Sequence, residues 1–171
     1  MSQVLAEDIK TSRVEISFDY NRADRDYANN QFAVWIEDLD GNLVKTLFVT
    51  RFTATKCWKS RKETLPTWKE KANISTLKKD VFDTISGATP KAQQLVFTWK
   101  ENSSDGSSIP SGEYRYFVEC NYYWEDTVLY RGTIIVGNNT DTSKAVTHFS
   151  TENAKDYALI ENVAAKFIPS Q

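Results

Sequence analysis

The feature that most constrains the fold of this chain is an alternation of apolar and polar residues that recurs in short segments. In residues 13–20 every second side chain is apolar, and residues 114–122 and 128–136 repeat the pattern with aromatic and aliphatic side chains. Successive side chains of a β-strand point to opposite faces of a sheet, so this spacing predicts strands with one buried face. Strands are predicted at residues 13–20, 31–37, 43–52, 94–99, 114–122, 128–136, 145–149 and 163–168.

Turn signals between these segments favour an antiparallel arrangement. Asp40-Gly41 separates two apolar segments, which is typical of a β-hairpin. The second of them, residues 43–52, is apolar on both faces and predicts a central strand. Gly132 interrupts an apolar segment and predicts a bulge or the close approach of another segment. Together these features predict an all-β fold, an immunoglobulin-like antiparallel β-sandwich.

Residues 53–92 break the alternation. Pro66 predicts the first turn of a helix, and four apolar residues between positions 77 and 85 recur at helical spacing. We therefore expect a single sandwich domain over residues 12–171, with a mostly helical and loop insertion at 53–92 and a loose leader at 1–11. Trp58, Trp68 and Phe82 are expected to anchor the insertion to the sandwich.

The composition is that of a globular domain, with 40% hydrophobic and 26% charged residues. No apolar run approaches the ~20 residues of a membrane-spanning helix, so direct membrane insertion is not expected. Residues 1–10 lack the apolar core of a signal peptide, and none is predicted in the printed sequence.

Cysteine and histidine usage argues against metal and hydrolytic chemistry. Cys57 and Cys120 match no metal or redox spacing. Cys120 is expected to be buried on an apolar strand face, and a bridge between the two cysteines stays open. His148, the only histidine, lies in a predicted strand, and no Gly-x-Ser-x-Gly motif occurs. The sequence therefore predicts no metal site and no catalytic residue.

The net charge of −2 is unevenly distributed. Residues 51–79 contain nine lysines and arginines against two glutamates, a local charge of +7 within an otherwise acidic chain. This segment is either a solvated surface or an anion-attracting face suited to a phosphate or a reduced flavin. Nucleic acid is not an expected partner, because the acidic remainder would repel it.

One segment of the insertion has residue types that shape the backbone. Residues 83–90 read Asp-Thr-Ile-Ser-Gly-Ala-Thr-Pro. Gly87 permits a positive φ, Ala88 leaves the surface bare, and Pro90 biases Thr89 toward an extended conformation. The segment is either a loop that presents the Thr89 hydroxyl or the end of a helix at Gly87 followed by a proline stop.

The spacing of Asp83, Ser86, Gly87, Ala88 and Thr89 is similar to the acceptor motif of bacterial flavin transferases. Those enzymes join FMN through its phosphate to the hydroxyl of the last Thr or Ser, as in the flavin-carrying subunits of the sodium-pumping NADH:quinone oxidoreductase. The resemblance implies that Thr89 is an FMN acceptor and that a flavin transferase is a partner. It gives Asp83 a role in orienting the loop or in assisting the modifying enzyme.

Two further resemblances concern larger parts of the chain. Residues 40–47 and 105–114 resemble the hairpin and the turn-then-strand of the flagellar hook-capping immunoglobulin-like domain. Residues 32–123 resemble the predicted periplasmic family called domain of unknown function 2271, through the segment 30–38, Leu65-Pro66 with Trp68, Ala88-Thr89-Pro90, and the segment 110–114. That family is often encoded near flavin transferases, and its members are usually exported, which implies a periplasmic or extracytoplasmic location.

Two functions remain in competition at this point. The first is a flavoprotein module that carries FMN on Thr89 and transfers electrons to a redox partner protein, with the redox chemistry supplied by the flavin. The second is a cofactor-free immunoglobulin-like scaffold that binds a partner through strand edges or the basic segment. The two functions differ in whether the Thr89 hydroxyl carries covalently attached FMN.

Overall fold

The computed structural model describes residues 11–22, 30–53, 63–100 and 109–170. Within these ranges the chain forms ten strands, two short α-helices and a 3₁₀ turn at Asn153–Asp156. The strands are β1 Arg13–Tyr20, β2 Gln31–Glu37, β3 Leu43–Thr50, β4 Ser86–Gly87, β5 Gln93–Trp99, β6 Gly112–Tyr123, β7 Asp126–Val136, β8 Asp141–Lys144, β9 Val146–Phe149 and β10 Ile160–Ile168; the helices are α1 Pro66–Lys71 and α2 Lys79–Ile85.

The strands form two sheets. One has four strands in the order β5-β1-β10-β8, and the other has six in the order β4-β3-β2-β6-β7-β9. The pairs are antiparallel except β3 with β4, which is parallel over two residues. The prediction of an all-β sandwich is confirmed. Residues 1–10, and with them nearly all of the expected leader, lie outside the described residues.

The main core lies between the two sheets. Strand β1 contributes Val14, Ile16 and Phe18, and strand β2 contributes Phe32 and further alternate residues, all fully or almost fully buried. The predicted aromatic face of β6 is confirmed, because Tyr116, Val118, Cys120 and Tyr122 are buried and Tyr114 is half-buried. Burial strongly raises the pKa of the Cys120 thiol, which keeps this free cysteine protonated and unreactive.

The six-stranded sheet is also covered on its outer face. All seven residues of β2 are buried, because a second cluster packs Trp35 and Val49 against Leu65 and Trp68. The Trp35 and Phe117 rings stack on this face with their centroids 5.0 Å apart. Trp68 is fully buried and Phe82 partly buried in the cluster, as expected of anchoring residues; Trp58 lies outside the described residues.

Helix α1 is attached to this outer face by polar contacts. The buried carboxylate of Glu119 on β6 accepts hydrogen bonds from the backbone N–H groups of Thr67, at 3.1 Å, and Trp68, at 2.9 Å. The Trp68 indole Nε1 donates to Thr46 Oγ1 on β3 at 3.1 Å. These contacts satisfy N–H groups that the first turn of any helix leaves without an intrahelical partner.

The structure corrects the predicted position of β3 and decides between the two alternatives for Gly132. Strand β3 is not central, because only the two-residue β4 lies beyond it. Its apolar residues face the main core on one side and, on the other side, the second cluster, which contains Leu65 and Trp68. Gly132 is a close-approach point, because a Cβ there would overlap the ring of Tyr116. Among the described residues, no helix is long and apolar enough to cross a membrane.

Candidate functional site

The candidate site lies where α2 leads into the edge of the six-stranded sheet. Helix α2 ends at Ile85, and its C-cap Ser86 has an extended conformation with φ −104° and ψ 142°. Ser86 and Gly87 then pair with Val49 and Thr50 as β4. The expectation that this segment lies wholly outside strands is therefore wrong, and so is the alternative of a helix ending at Gly87.

Glycine at position 87 has a different cause from the one expected. Its φ lies outside the left-handed region, so the permissive backbone of glycine is not used here. A Cβ built on Gly87 would lie 2.6 Å from Cε2 of Phe48, well inside van der Waals contact. A small residue is needed because the β4 backbone packs directly on the Phe48 ring.

The other motif residues differ in exposure. Asp83, in the last turn of α2, is exposed, as is Ala88. Thr89 is half-buried, and its side chain makes no hydrogen bond with any residue that the structure describes. The Ser86 hydroxyl is buried and likewise lacks a hydrogen-bond partner among the described residues. A buried polar atom without a hydrogen-bond partner costs free energy.

A cavity of about 280 Å³ adjoins the end of α2 that leads into the motif. Lys45 and Lys100 supply positive charge to its walls, and Thr84 and Thr98 are two of its hydroxyl residues. Neither lysine forms an ion pair with a described residue. The Thr84 hydroxyl donates to the Asp80 carbonyl at 2.9 Å. Unpaired cations and hydroxyls in one concave site are suited to an anionic group.

The basic segment at residues 51–79 contributes less to an anion-attracting face than its charge indicates. Lys71 Nζ lies 3.3 Å from the buried Glu37 carboxylate and donates to the Gly41 carbonyl at 2.8 Å. Lys69 is itself buried. Lys78 and Lys79 are exposed, and Lys56, Lys59, Arg61 and Lys62 lie outside the described residues. Two of the nine cations therefore serve the packing of α1.

The fold is an all-β sandwich, and a cationic cavity lies at the end of α2 that leads into residues 86–89. A family model described as "Predicted periplasmic protein (DUF2271)" matches residues 12–154, and the chain belongs to this family. The resemblance to that family is confirmed, and its description agrees with the predicted periplasmic location. No curated protein and no solved structure matches the chain.

The sequence singles out residues 83–90, whose acceptor role stays a prediction, but it does not single out the lysines of the cavity. Lys45 lies on β3 and Lys100 just after β5, more than fifty positions apart. Strands β3 and β5, one from each sheet, contact each other, and this contact brings the two lysines to one site at the end of α2. Their signal in the sequence was a single lysine in each of two mostly uncharged segments, which is too common to single out.

Proposed function

We propose that this protein is an extracytoplasmic electron-transfer module that carries FMN covalently on the hydroxyl of Thr89. The motif residues Asp83, Ser86, Gly87, Ala88 and Thr89 give the chemical basis of the proposal, and the family description supports the location. Among the described residues, the observations that carry it are a half-buried Thr89 without a side-chain hydrogen bond and, at the end of α2 that leads into the motif, a cavity with two lysines that form no ion pair. The module is a carrier and not itself an enzyme.

The attachment is a transfer catalysed by a separate flavin transferase. Thr89 Oγ forms a bond to the FMN phosphorus of a flavin dinucleotide donor, and the phosphoanhydride bond of the donor breaks. The nucleoside monophosphate leaves, and the hydroxyl proton passes to a base on the transferase. Asp83 is exposed in the last turn of α2 and is available to contact that enzyme.

The residues around Thr89 fit a phosphodiester-linked flavin. Ala88 is small and exposed, so the backbone beside the hydroxyl is open to an incoming enzyme. Lys45 and Lys100 give the cavity at the end of α2 a positive charge that favours a phosphodiester attached to the following segment, although exposed charges contribute no more than about 1 kcal/mol each. The flavin supplies the redox chemistry when bound, and the sandwich supplies a rigid support for the loop.

A finer description of the fold belongs to the same proposal. We infer that the sandwich is immunoglobulin-like and that residues 53–92 form a mostly helical insertion outside it. The Tyr114 hydroxyl donates to the Pro110 carbonyl at 2.9 Å, four residues upstream. This contact resembles the tyrosine corner of immunoglobulin-like domains, where a tyrosine at a strand start bonds back to the preceding turn.

The proposal is tested by co-expression with a flavin transferase that is active on a control acceptor. We expect yellow protein whose colour survives denaturation, because the bond is covalent. Thr89→Ala should abolish the colour without changing the melting curve, and Thr84→Ala should retain it, since Thr84 is in the same segment but outside the acceptor position. A colourless parent protein beside a flavinylated control would refute the proposal.

The alternative is a cofactor-free scaffold that binds a partner protein through a sheet edge. Strand β9 lies at the edge of the six-stranded sheet, and it exposes Val146 and Phe149. An exposed apolar edge strand is able to pair with an added strand. This function is supported if the transferase experiment fails while Val146→Lys abolishes binding of a protein partner.

A further inference from the structure

A second cavity lies toward the other edge of the six-stranded sheet, and it is independent of the flavin proposal. It has a volume of about 460 Å³ and is formed where β7 extends beyond β9 and meets β8. Strands β2 and β6 separate β7 from β3, which borders the acceptor segment. The three cations of its wall are Arg115 on β6, Arg131 on β7 and Lys144 on β8.

These cations are not neutralised by the protein. None of the three forms an ion pair with a described residue. The cross-strand neighbours of Arg131 are Phe117 and Val146, which carry no charge.

Arg115 has one acidic cross-strand neighbour, and that carboxylate is already engaged. Glu37 lies opposite Arg115 on β2. Its Oε1 accepts the indole N–H of Trp35 at 2.8 Å, and its Oε2 lies 3.3 Å from Lys71 Nζ. Among the described residues, no carboxylate forms an ion pair with Arg115, so its guanidinium is available to a ligand.

The polar floor of the cavity is held in place by the core. Ser143 Oγ donates to the Thr133 carbonyl at 2.5 Å and lies 3.2 Å from the Tyr116 hydroxyl. Tyr116 is fully buried against Gly132, whose lack of a side chain admits the ring. The strands that carry the three cations are thus fixed relative to one another.

We propose that this cavity binds a small organic polyanion that carries at least two carboxylate or phosphate groups. Guanidinium groups match both kinds of oxyanion through two parallel N–H···O bonds. The volume lies in the range of about 300–1,000 Å³ that is typical of small-molecule sites and exceeds what a single phosphate needs. Three cations from three strands match two or more anionic groups on one ligand.

The test is a titration of the full chain, without flavin, with citrate and with pyrophosphate, followed by backbone amide NMR shifts. We expect saturable 1:1 binding of at least one anion, with the largest shifts at residues of β7 and β8. The stronger of the two anions identifies the ligand as a polycarboxylate or a phosphorylated compound. Arg115→Gln and Arg131→Gln should each weaken binding about tenfold or more, the loss of a charge-assisted hydrogen bond.

Two controls keep the test decisive. Lys79→Gln removes one exposed positive charge on α2, which packs on β3 and is separated from β7 by β2 and β6, and it should change the affinity less than about twofold, because distant exposed charges are screened. Arg131→Lys should retain part of the affinity, since it keeps the positive charge but loses the two parallel N–H donors of the guanidinium. The inference is overturned if neither anion saturates, or if Lys79→Gln weakens binding as much as Arg131→Gln does while all variants keep their melting temperature.

Discussion

The absence of a side chain at Gly132 allows the Tyr116 ring to pack in the core. The Tyr116 ring occupies the position where a Cβ would lie, and this ring is fully buried. Neither the ring nor the strand has room to move. Gly137 follows the end of the same strand and has nothing within 4 Å of a built Cβ. Comparing alanine substitutions at Gly132 and Gly137 separates the effect of close packing from the general effect of replacing glycine.

We expect Gly132→Ala to lower the free energy of unfolding by about 1–3 kcal/mol, through overpacking. Gly137→Ala should have an effect within about 0.5 kcal/mol, as at an unobstructed surface position. Denaturant melts measure both values. In a Tyr116→Ala background the cost of Gly132→Ala should largely disappear, because the two changes are coupled through the ring. Equal costs in both backgrounds would show that Tyr116 is not the cause.

The Ser86 hydroxyl offers a test of whether the acceptor segment is shaped by folding or by function. Because this buried group has no hydrogen-bond partner among the described residues, Ser86→Ala removes a desolvated atom and no bond. We expect the free energy of unfolding to stay within about 0.5 kcal/mol of the parent or to rise. Flavin attachment by a transferase should nevertheless decrease.

The matched control for Ser86 is Thr46, whose hydroxyl accepts the indole N–H of the buried Trp68. Thr46→Val leaves that donor unsatisfied and should cost about 1–3 kcal/mol. A loss above about 1.5 kcal/mol for Ser86→Ala would mean that its hydroxyl has a structural partner, contrary to this account.

At the scale of elements, α1 depends on a carboxylate in a neighbouring strand. Burial raises the pKa of Glu119 above its ordinary value of 4.5, while the N–H donors of Trp68 and Thr67 and the charge of Lys69 act in the opposite direction. The effect of burial is the larger. The folded protein therefore holds the Glu119 proton more tightly than the unfolded chain does.

The sign of the pH dependence follows from this difference. Below pH 4.5 the group is protonated in both states, and its contribution to stability is fully present. As the pH rises through the raised pKa of the folded state, the unfolded chain loses its proton first, so the free energy of unfolding falls. We expect the free energy of unfolding of the parent, measured relative to that of Glu119→Gln in denaturant melts, to decline across this pH window. If the free energy of unfolding of the parent increased with pH relative to that of Glu119→Gln, the account would be contradicted.

Elements with a strong local pattern were predicted well, and those defined by tertiary contacts were not. The bounds of β1 and β2 match the alternation because each strand has a buried face that the period of two reveals. The position of β3 was misjudged because an apolar outer face indicates cover, and helices provide that cover here as well as another strand would. β4 has only two residues, too few for any periodicity.

At the scale of the molecule, the sequence predicts the sandwich that the structure shows, and it does not predict the two cationic cavities. The acceptor role of Thr89 stays a prediction. The lysines at one cavity and the three cations at the other come from strands that are distant in sequence. The basic segment at 51–79 was more conspicuous, yet Lys69 and Lys71 within it are used for packing. Charge clusters in sequence thus indicate surface composition, whereas sites depend on which strands become neighbours.

The central claim is that Thr89 carries FMN, and peptide mapping by mass spectrometry tests it most directly. The protein is co-expressed with a flavin transferase, unfolded and digested, and the peptide that contains residues 83–90 is fragmented. The account predicts a mass increase equal to one FMN less one water, located on Thr89 and absent from Thr89→Ala. An unmodified Thr89 in a preparation where a control acceptor is fully modified would contradict it, and so would a flavin located on Ser86 or Thr84.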